Sequence, residues 1–143
     1  MQNCLKIAQL TDSNLLTEIH SECFEKGWNL AAIEDYMRQP NCYALLAGNL
    51  GFILFQIVVD ECEIKTICVM PQERGKGYAK LLCAEAIDVI SGLSAKKIFL
   101  EVAENNIAAL NLYKKLGFEV YGKREKYYAN GDAAILLHLI IAI

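Results

Sequence analysis

Between residues 41 and 69 the chain runs through three apolar segments rich in β-branched and aromatic residues, 43–47, 50–59 and 63–69, separated by two and three residues. Connections this short leave antiparallel hairpins as the way to pair them, because a parallel crossover needs a dozen residues or more. Gly48-Asn49 suits the positive φ angles of a tight hairpin, and Asp60-Glu61 supplies a second turn. A glycine-bearing stretch, Gln72-Glu73-Arg74-Gly75-Lys76-Gly77-Tyr78-Ala79, follows at once. It opens a segment over 77–90 with Leu81, Leu82 and Ala86 in helical order, stopped at Ser91-Gly92.

Upstream, an apolar run at 5–8 ends at Thr11, Asp12 and Ser13, residue types that cap helices. Leu15, Leu16, Ile19 and Cys23 then recur with helical period. After Gly27 a second short helix begins at Asn29, buries Ile33, Tyr36 and Met37, and ends at Pro40. Downstream, 97–103 is a strand, 106–116 a helix closed by Gly117 in a left-handed cap, and 118–121 and 133–141 are strands. A helix between the strands at 63–69 and 97–103 permits a parallel crossover, so the sheet is expected to be mixed. The expected fold is α/β (α+β), with a mixed, mostly antiparallel sheet of about seven strands flanked by about four helices. The 143 residues suit one domain over 1–143.

Composition narrows the function. With 55% apolar and 22% charged residues the chain reads as globular, and its net charge of −3 offers no general attraction to nucleic acid. The apolar stretches at 50–59 and 133–143 are each shorter than the roughly 20 residues that cross a bilayer. Residues 1–9 lack a signal-peptide pattern, which points to the cytoplasm. Cys4, Cys23, Cys42, Cys62, Cys68 and Cys83 lie in periodic apolar segments without a C-x-x-C pair and read as reduced, buried thiols. His20 and His138 have no ligand-type neighbour at metal spacing, so no metal is expected and both read as structural.

Two groups of residues carry chemistry. Gly75 and Gly77 let the backbone approach a ligand, and the helix start directs N–H groups and partial positive charge at an anion such as a pyrophosphate. Arg74 and Lys76 add cations. A P-loop would need Ser or Thr after Gly-Lys, and a Rossmann loop would need Gly or Ala at Lys80. Taken alone, the glycines fit a helix-capping turn equally well. In the second group, alternation along Leu100-Glu101-Val102 turns the Glu101 carboxylate to the face opposite its neighbours. Asn106 and Tyr113, seven residues apart, share one side of the following helix. Singly, Glu101 is a solvated strand-end acid and Tyr113 a core ring beside Ala109, Leu112 and Leu116; their combination points to a site.

Residues 72–79 resemble the Q/R-x-x-G-x-G/A pyrophosphate motif of the GNAT acetyltransferase superfamily, and the order of elements is similar. Within it, Leu100-Glu101-Val102, Asn106, Leu112-Tyr113, Gly117-Phe118, Arg124, Tyr127-Tyr128, Asp132-Ala133 and Trp28 resemble the bacterial ribosomal-protein-alanine N-acetyltransferases. Ala103 departs from the Arg of that group's Leu-Glu-Val-Arg, and the loop from Tyr128 to Asp132 is short. The resemblance implies acetyl-CoA held by the backbone of Ile67, Cys68 and Val69, by Arg74, Gly75, Lys76, Gly77, Tyr78 and Ala79, and by Asn106. It implies an acceptor protein N-terminus, that of a small-subunit ribosomal protein, held by 27–30 and 123–132 with Trp28, Tyr127 and Tyr128 as aromatic walls. Direct transfer in a ternary complex follows, with Glu101 as base through water, Tyr113 as acid to the leaving thiolate, and Val69 N–H polarising the thioester. A Lys side chain or small amine as acceptor, and a non-catalytic acetyl-CoA-binding module, remain as alternatives.

Overall fold

In the computed structural model, which describes residues 5–141, seven strands form one mixed sheet in the order β1-β2-β3-β4-β5-β7-β6, with four α-helices. The elements are β1 (Leu5–Ile7), α1 (Ser13–Cys23), α2 (Leu30–Arg38), β2 (Cys42–Ala47), β3 (Gly51–Val58), β4 (Glu61–Val69), α3 (Tyr78–Gly92), β5 (Lys97–Ala103), α4 (Ile107–Lys115), β6 (Glu119–Arg124) and β7 (Ala134–Ile140). Every pairing is antiparallel except β4 with β5.

β3 is apolar nearly throughout because helices cover both of its faces. Phe52 and Leu54 pack with Leu16 and Ile19 of α1 and Ile33 and Tyr36 of α2. Ile53, Phe55 and Ile57 pack on the opposite face with Leu82, Ala86 and Ile90 of α3 and Tyr113 of α4. Each such side chain contributes about 1.5–3 kcal/mol on burial. β5 alternates instead. Ile98, Leu100 and Val102 are buried, while Lys97, Phe99, Glu101 and Ala103 lie on a face that α1 and α2 do not cover.

The feature that makes room for a site is the short parallel pairing of β4 with β5. It covers Glu61↔Lys97, Cys62↔Ile98 and Glu63↔Phe99, although the strands continue to Val69 and Ala103. Just where they part, the β3–β4 register shifts: Leu54 opposes Thr66 and Phe55 opposes Ile64, so Lys65 is an extra residue on β4. A bulge bends and twists its strand, which here accounts for β4 turning away from β5.

Details of the hairpins differ from expectation. The second turn is Val59-Asp60, since Val58 pairs with Glu61, and Val59 has φ 59°. In the first turn Gly48 has a positive φ, 53°, and Asn49 does not. Of the cysteines, Cys62, Cys68 and Cys83 are buried, with burial pushing the Cys62 and Cys83 thiols up to about 12. Cys23 and Cys42 are free thiols that are only half-buried, because they stand at the ends of α1 and β2; Cys4 lies outside the described residues.

Gly51 fixes how closely the start of β3 approaches the end of β4. A Cβ there would lie 2.4 Å from the Cys68 carbonyl oxygen, a backbone atom that cannot swing aside. Gly51→Ala is expected to destabilise the fold by about 1–3 kcal/mol, read as a lower denaturation midpoint at unchanged slope.

Candidate active site

Where β4 and β5 separate, a cleft of about 280 Å³ opens, lined by Ile64 to Ile67 of β4, Leu100 to Ala103 of β5, Asn106, Ala109 and Tyr113 around α4, and by Phe24 and Tyr128. Both strand edges facing it have lost their ladder partner, so their N–H and C=O groups are open to a ligand. The Leu50–Met70 row of the β3–β4 hairpin is hydrogen-bonded, Met70 N–H donating to Leu50 O at 2.8 Å. Alternation therefore turns the N–H and C=O of Val69 away from β3. The Val69 carbonyl accepts from Arg74 Nε at 3.0 Å and from Cys23 Sγ at 3.4 Å. Ile67 lines the cleft. The Cys68 side chain points the other way, into the α1–α2 core.

After β4, Pro71–Glu73 forms a single 3-10 turn, and Gly75 and Gly77 take φ of 80° and 88° before α3 begins. These angles suit glycine, and the turn leads into the first, unpaired amides of a 15-residue helix. Lys76 Nζ is 3.0 Å from Glu73 Oε2, whereas Arg74 is tied to the strand end. Of the sequence-predicted residues here, Tyr78 is buried in the core, so its contribution to a ligand is limited to backbone, while Ala79 is half-buried on the first turn.

The termini of α4 position its two polar residues. Asn106 is the N-cap: its Oδ1 accepts from Ala109 N–H at 3.2 Å, leaving Nδ2 to donate into the cleft it lines. At the other end, Gly117 at φ 101° closes a Schellman motif, with Phe118 N–H donating to Tyr113 O at 3.0 Å and Gly117 N–H to Lys114 O at 3.1 Å. The Tyr113 and Phe118 rings meet edge to face at 5.7 Å. Tyr113 is thus both a core ring, 5% exposed, and part of the cleft wall. Burial, and then the neighbouring Cys83, raise its pKa, so the phenol is neutral across the working range.

Glu101 stands in the wall of this cleft and also lines a second hollow with Glu63, Ile64, Lys65, Tyr127 and Tyr128. Arg124 Nη1 lies 3.7 Å from Glu101 Oε1, and the guanidinium sits 5.5 Å from the centre of the Tyr127 ring. Hydrogen bonding to Glu101, followed by its charge, raises the Tyr127 pKa. Burial and then the Glu101 charge raise that of Tyr128. The loop carrying both tyrosines is closed by their N–H groups, each 3.0 Å from Asp132 O. Trp28 does not line either cavity. It stacks on His20 at 5.7 Å, and its N–H donates to His20 Nδ1 at 3.1 Å. The wall from the α1–α2 connection is Phe24, which the sequence reading missed because its exposed, non-periodic position carries no pattern. Among the described residues, no three His, Cys, Asp or Glu side chains gather as a metal site, and no helix is long and apolar enough to cross a membrane.

Comparison with known proteins identifies the family and the fold. Residues 13–118 match the acetyltransferase (GNAT) family. The ribosomal protein bS18-alanine N-acetyltransferase of Haemophilus influenzae is 29% identical over 120 residues, 82% of each chain. The crystal structure of the ribosomal-protein-S18-alanine N-acetyltransferase from Escherichia coli superposes with a TM-score of 0.89 at 26% identity, covering 99% of this chain and 96% of that one. Arabidopsis thaliana NAA60 in complex with acetyl-CoA shares the fold, with a TM-score of 0.84 at 19% identity over 98% and 100% of the two chains. The family match across most of the sequence, on a sheet whose fourth and fifth strands part around a cleft, makes this chain a member of the GNAT family, an acetyl-CoA-dependent N-acetyltransferase.

Proposed function

We propose that the protein acetylates the N-terminal α-amine of a protein beginning with Ala, the acceptor being small-subunit ribosomal protein bS18, as in the relatives that bear that name. The observation that carries this reading is the position of Glu101, in a wall shared by the cleft that Asn106 and Tyr113 line and the hollow that Tyr127 and Tyr128 line. The donor lies in the first, with its pyrophosphate at Arg74 to Ala79 and the start of α3, and its pantetheine along the free strand edges. Asn106 Nδ2 donates to it. The acceptor N-terminus enters the second. The cytoplasm, where ribosomal proteins are made, is the matching location.

An ammonium has no lone pair for attack. An α-amine with a reference pKa of about 7.7–8.0 needs only a modest base, whereas a Lys side chain near 10.4 needs more help. Glu101 takes the proton through a water molecule, the neutral amine attacks the thioester carbon, and Val69 N–H receives the developing oxyanion. As the tetrahedral intermediate collapses, the C–S bond breaks and the departing sulfur takes the Tyr113 hydroxyl proton, while the surplus proton on the acylated nitrogen is lost to water and the phenol is reprotonated from it. From reference values this transfer is uphill by about 2 kcal/mol. Burial of Tyr113 adds to that cost, so proton transfer and C–S cleavage proceed together. A Lys or small-amine acceptor is less well supported, because Glu63 and Glu101 already carry Lys65 and Arg124 as counter-ions. A non-catalytic acetyl-CoA-binding module is disfavoured by the meeting of Glu101 and Tyr113 in one cleft.

Three measurements test the reading. Gly75→Val forces a β-branched residue to φ 80°, so the turn must change; with nothing within 4 Å of its Cβ the fold should survive while the acetyl-CoA Kd rises about tenfold or more. Unchanged affinity would remove the turn from the donor site. Glu101→Gln should slow turnover most at neutral pH and less at high pH. Tyr113→Phe keeps the packing yet should cut kcat by roughly 10²–10⁴. Because the Tyr113 pKa is raised, wild type should lose no kcat through this phenol up to about pH 10; near-wild-type turnover in both variants would leave a binding site without this catalytic pair. Finally, turnover of peptides differing only in their first residue should favour Ala and vanish when the α-amine is blocked. Acetyl groups found by mass spectrometry only on internal Lys would overturn the acceptor assignment.

A further inference from the structure

Among the described residues, two polar side chains are buried, Ser13 and His20, and the proposed reaction uses neither. Ser13 Oγ donates to Leu10 O at 2.7 Å, which serves the start of its own helix. His20, 5% exposed near the end of α1, is turned to the α1–α2 connection instead. It holds that connection through both Phe24 and Trp28. Phe24 N–H donates to His20 O at 3.0 Å, and the Phe24 ring lies 4.6 Å from the imidazole. Trp28 N–H donates to His20 Nδ1 at 3.1 Å, its ring stacks at 5.7 Å, and Phe52 of β3 stacks on the imidazole at 6.3 Å. Between them Gly27 lies flush on α1: a Cβ there would lie 3.1 Å from His20 Nδ1 and 3.1 Å from Ser21 Cα. Accepting from Trp28 requires an unprotonated Nδ1, and burial, which lowers the His20 pKa, favours that form.

The strand register decides which side of the sheet this connection serves. Leu54, which packs with α1 and α2, and Gln56 share one face of β3; Glu63 opposes Gln56, Phe99 opposes Glu63, and Glu101 is the next residue of β5 on that face. Glu101 is therefore on the α1–α2 side, whereas Tyr113 and α3 are on the other. Phe24 reaches the cleft from the Glu101 side and lines it with Glu101 and Tyr128. Phe24 and Trp28 are both exposed, so core packing does not fix them, and the buried ring that both touch is His20. We infer that His20 is a positioning residue for the acceptor: its imidazole, accepting at Nδ1, holds Trp28 and with it the connection, so that Phe24 stands as a wall against which the peptide N-terminus is placed. This rests on the reading that the acceptor enters beside Glu101.

His20→Phe keeps a ring and removes the acceptor atom, while His20→Asn returns an acceptor at the δ position without the ring. Both are compared with wild type using acetyl-CoA and an Ala-starting peptide at about pH 8, where much of an α-amine is deprotonated. His20→Phe should raise the peptide KM about tenfold, the scale of one lost hydrogen bond, with kcat and the acetyl-CoA Kd nearly unchanged. His20→Asn should recover most of that rise. Trp28 is the chain's single tryptophan, so acrylamide quenching of its fluorescence reads the connection directly. Quenching should increase in His20→Phe and return towards wild type in His20→Asn. Phe24→Ala, at an exposed position, should raise the peptide KM as His20→Phe does and leave Trp28 quenching as it is. An unmoved peptide KM in either His20→Phe or Phe24→Ala overturns the inference and leaves His20 a core side chain. A peptide KM and an acetyl-CoA Kd that rise together overturn it as well, because that is a general loosening of the fold. So does a His20→Asn enzyme as impaired as His20→Phe, since the acceptor atom is then not the tie. Should His20→Phe fail to fold, His20→Gln, which moves the acceptor out to the ε position, takes its place with the same expected outcomes. Failure of wild type to acetylate the peptide at all is a different result: it sinks the acceptor reading, and the inference falls with it.

Discussion

The site depends on one interruption of pairing. β4 and β5 share three residue pairs and then part, which leaves two neighbouring strand edges facing the cleft. Backbone amides are costly to leave unpaired in a protein interior, so the gap persists only because it is open to solvent and ligand. The bulge at Lys65 accounts for the divergence: one extra residue on β4 breaks its alignment while β3 continues to pair with it on the other side. An extended, amide-bearing pantetheine chain suits such a gap for the same reason that a strand would.

Around the gap, Asn106 and Tyr113 are placed by the ends of α4 more than by its faces. Asn106 and Tyr113 each meet a local need of α4, the first capping its N-terminus and the second supplying a carbonyl to the Schellman closure at Gly117 and Phe118. Because the capping contacts fix backbone and ring together, the phenol has little freedom to relax away from the cleft. In the turn before α3, positive φ at Gly75 and Gly77 leads the backbone directly into the helix start.

The proposed acceptor side is assembled from more distant parts. Tyr127, Tyr128 and Arg124 reach Glu101 because β7 inserts between β5 and β6, so residues more than twenty positions apart in sequence share one face. Ala103, where the resembling group has Arg, lines the cleft with a small side chain, and Arg124 lies 3.7 Å from Glu101. His20 organises the α1–α2 connection as a neutral ring, its pKa lowered by burial, with Nδ1 accepting from Trp28 N–H. That contact draws Trp28 onto the helix pair and leaves Phe24 to wall the cleft.

Local signals in the sequence determined the elements, the mixed sheet with its crossover after residue 69, the glycine turn, and the shared side of Asn106 and Tyr113, because each follows from periodicity or backbone conformation over a few residues. Turn chemistry was legible less sharply: Val59 in a left-handed conformation contradicts its own β-branched preference, and the strand pairing on either side holds it there. The bulge at Lys65, the pairing of Arg124 with Glu101, the position of Phe24 and the half-exposure of Cys23 and Cys42 were decided by tertiary structure. Each depends on which strand lies beside which and on how far two edges run together, and those are properties of the assembled sheet that no single segment of the chain encodes.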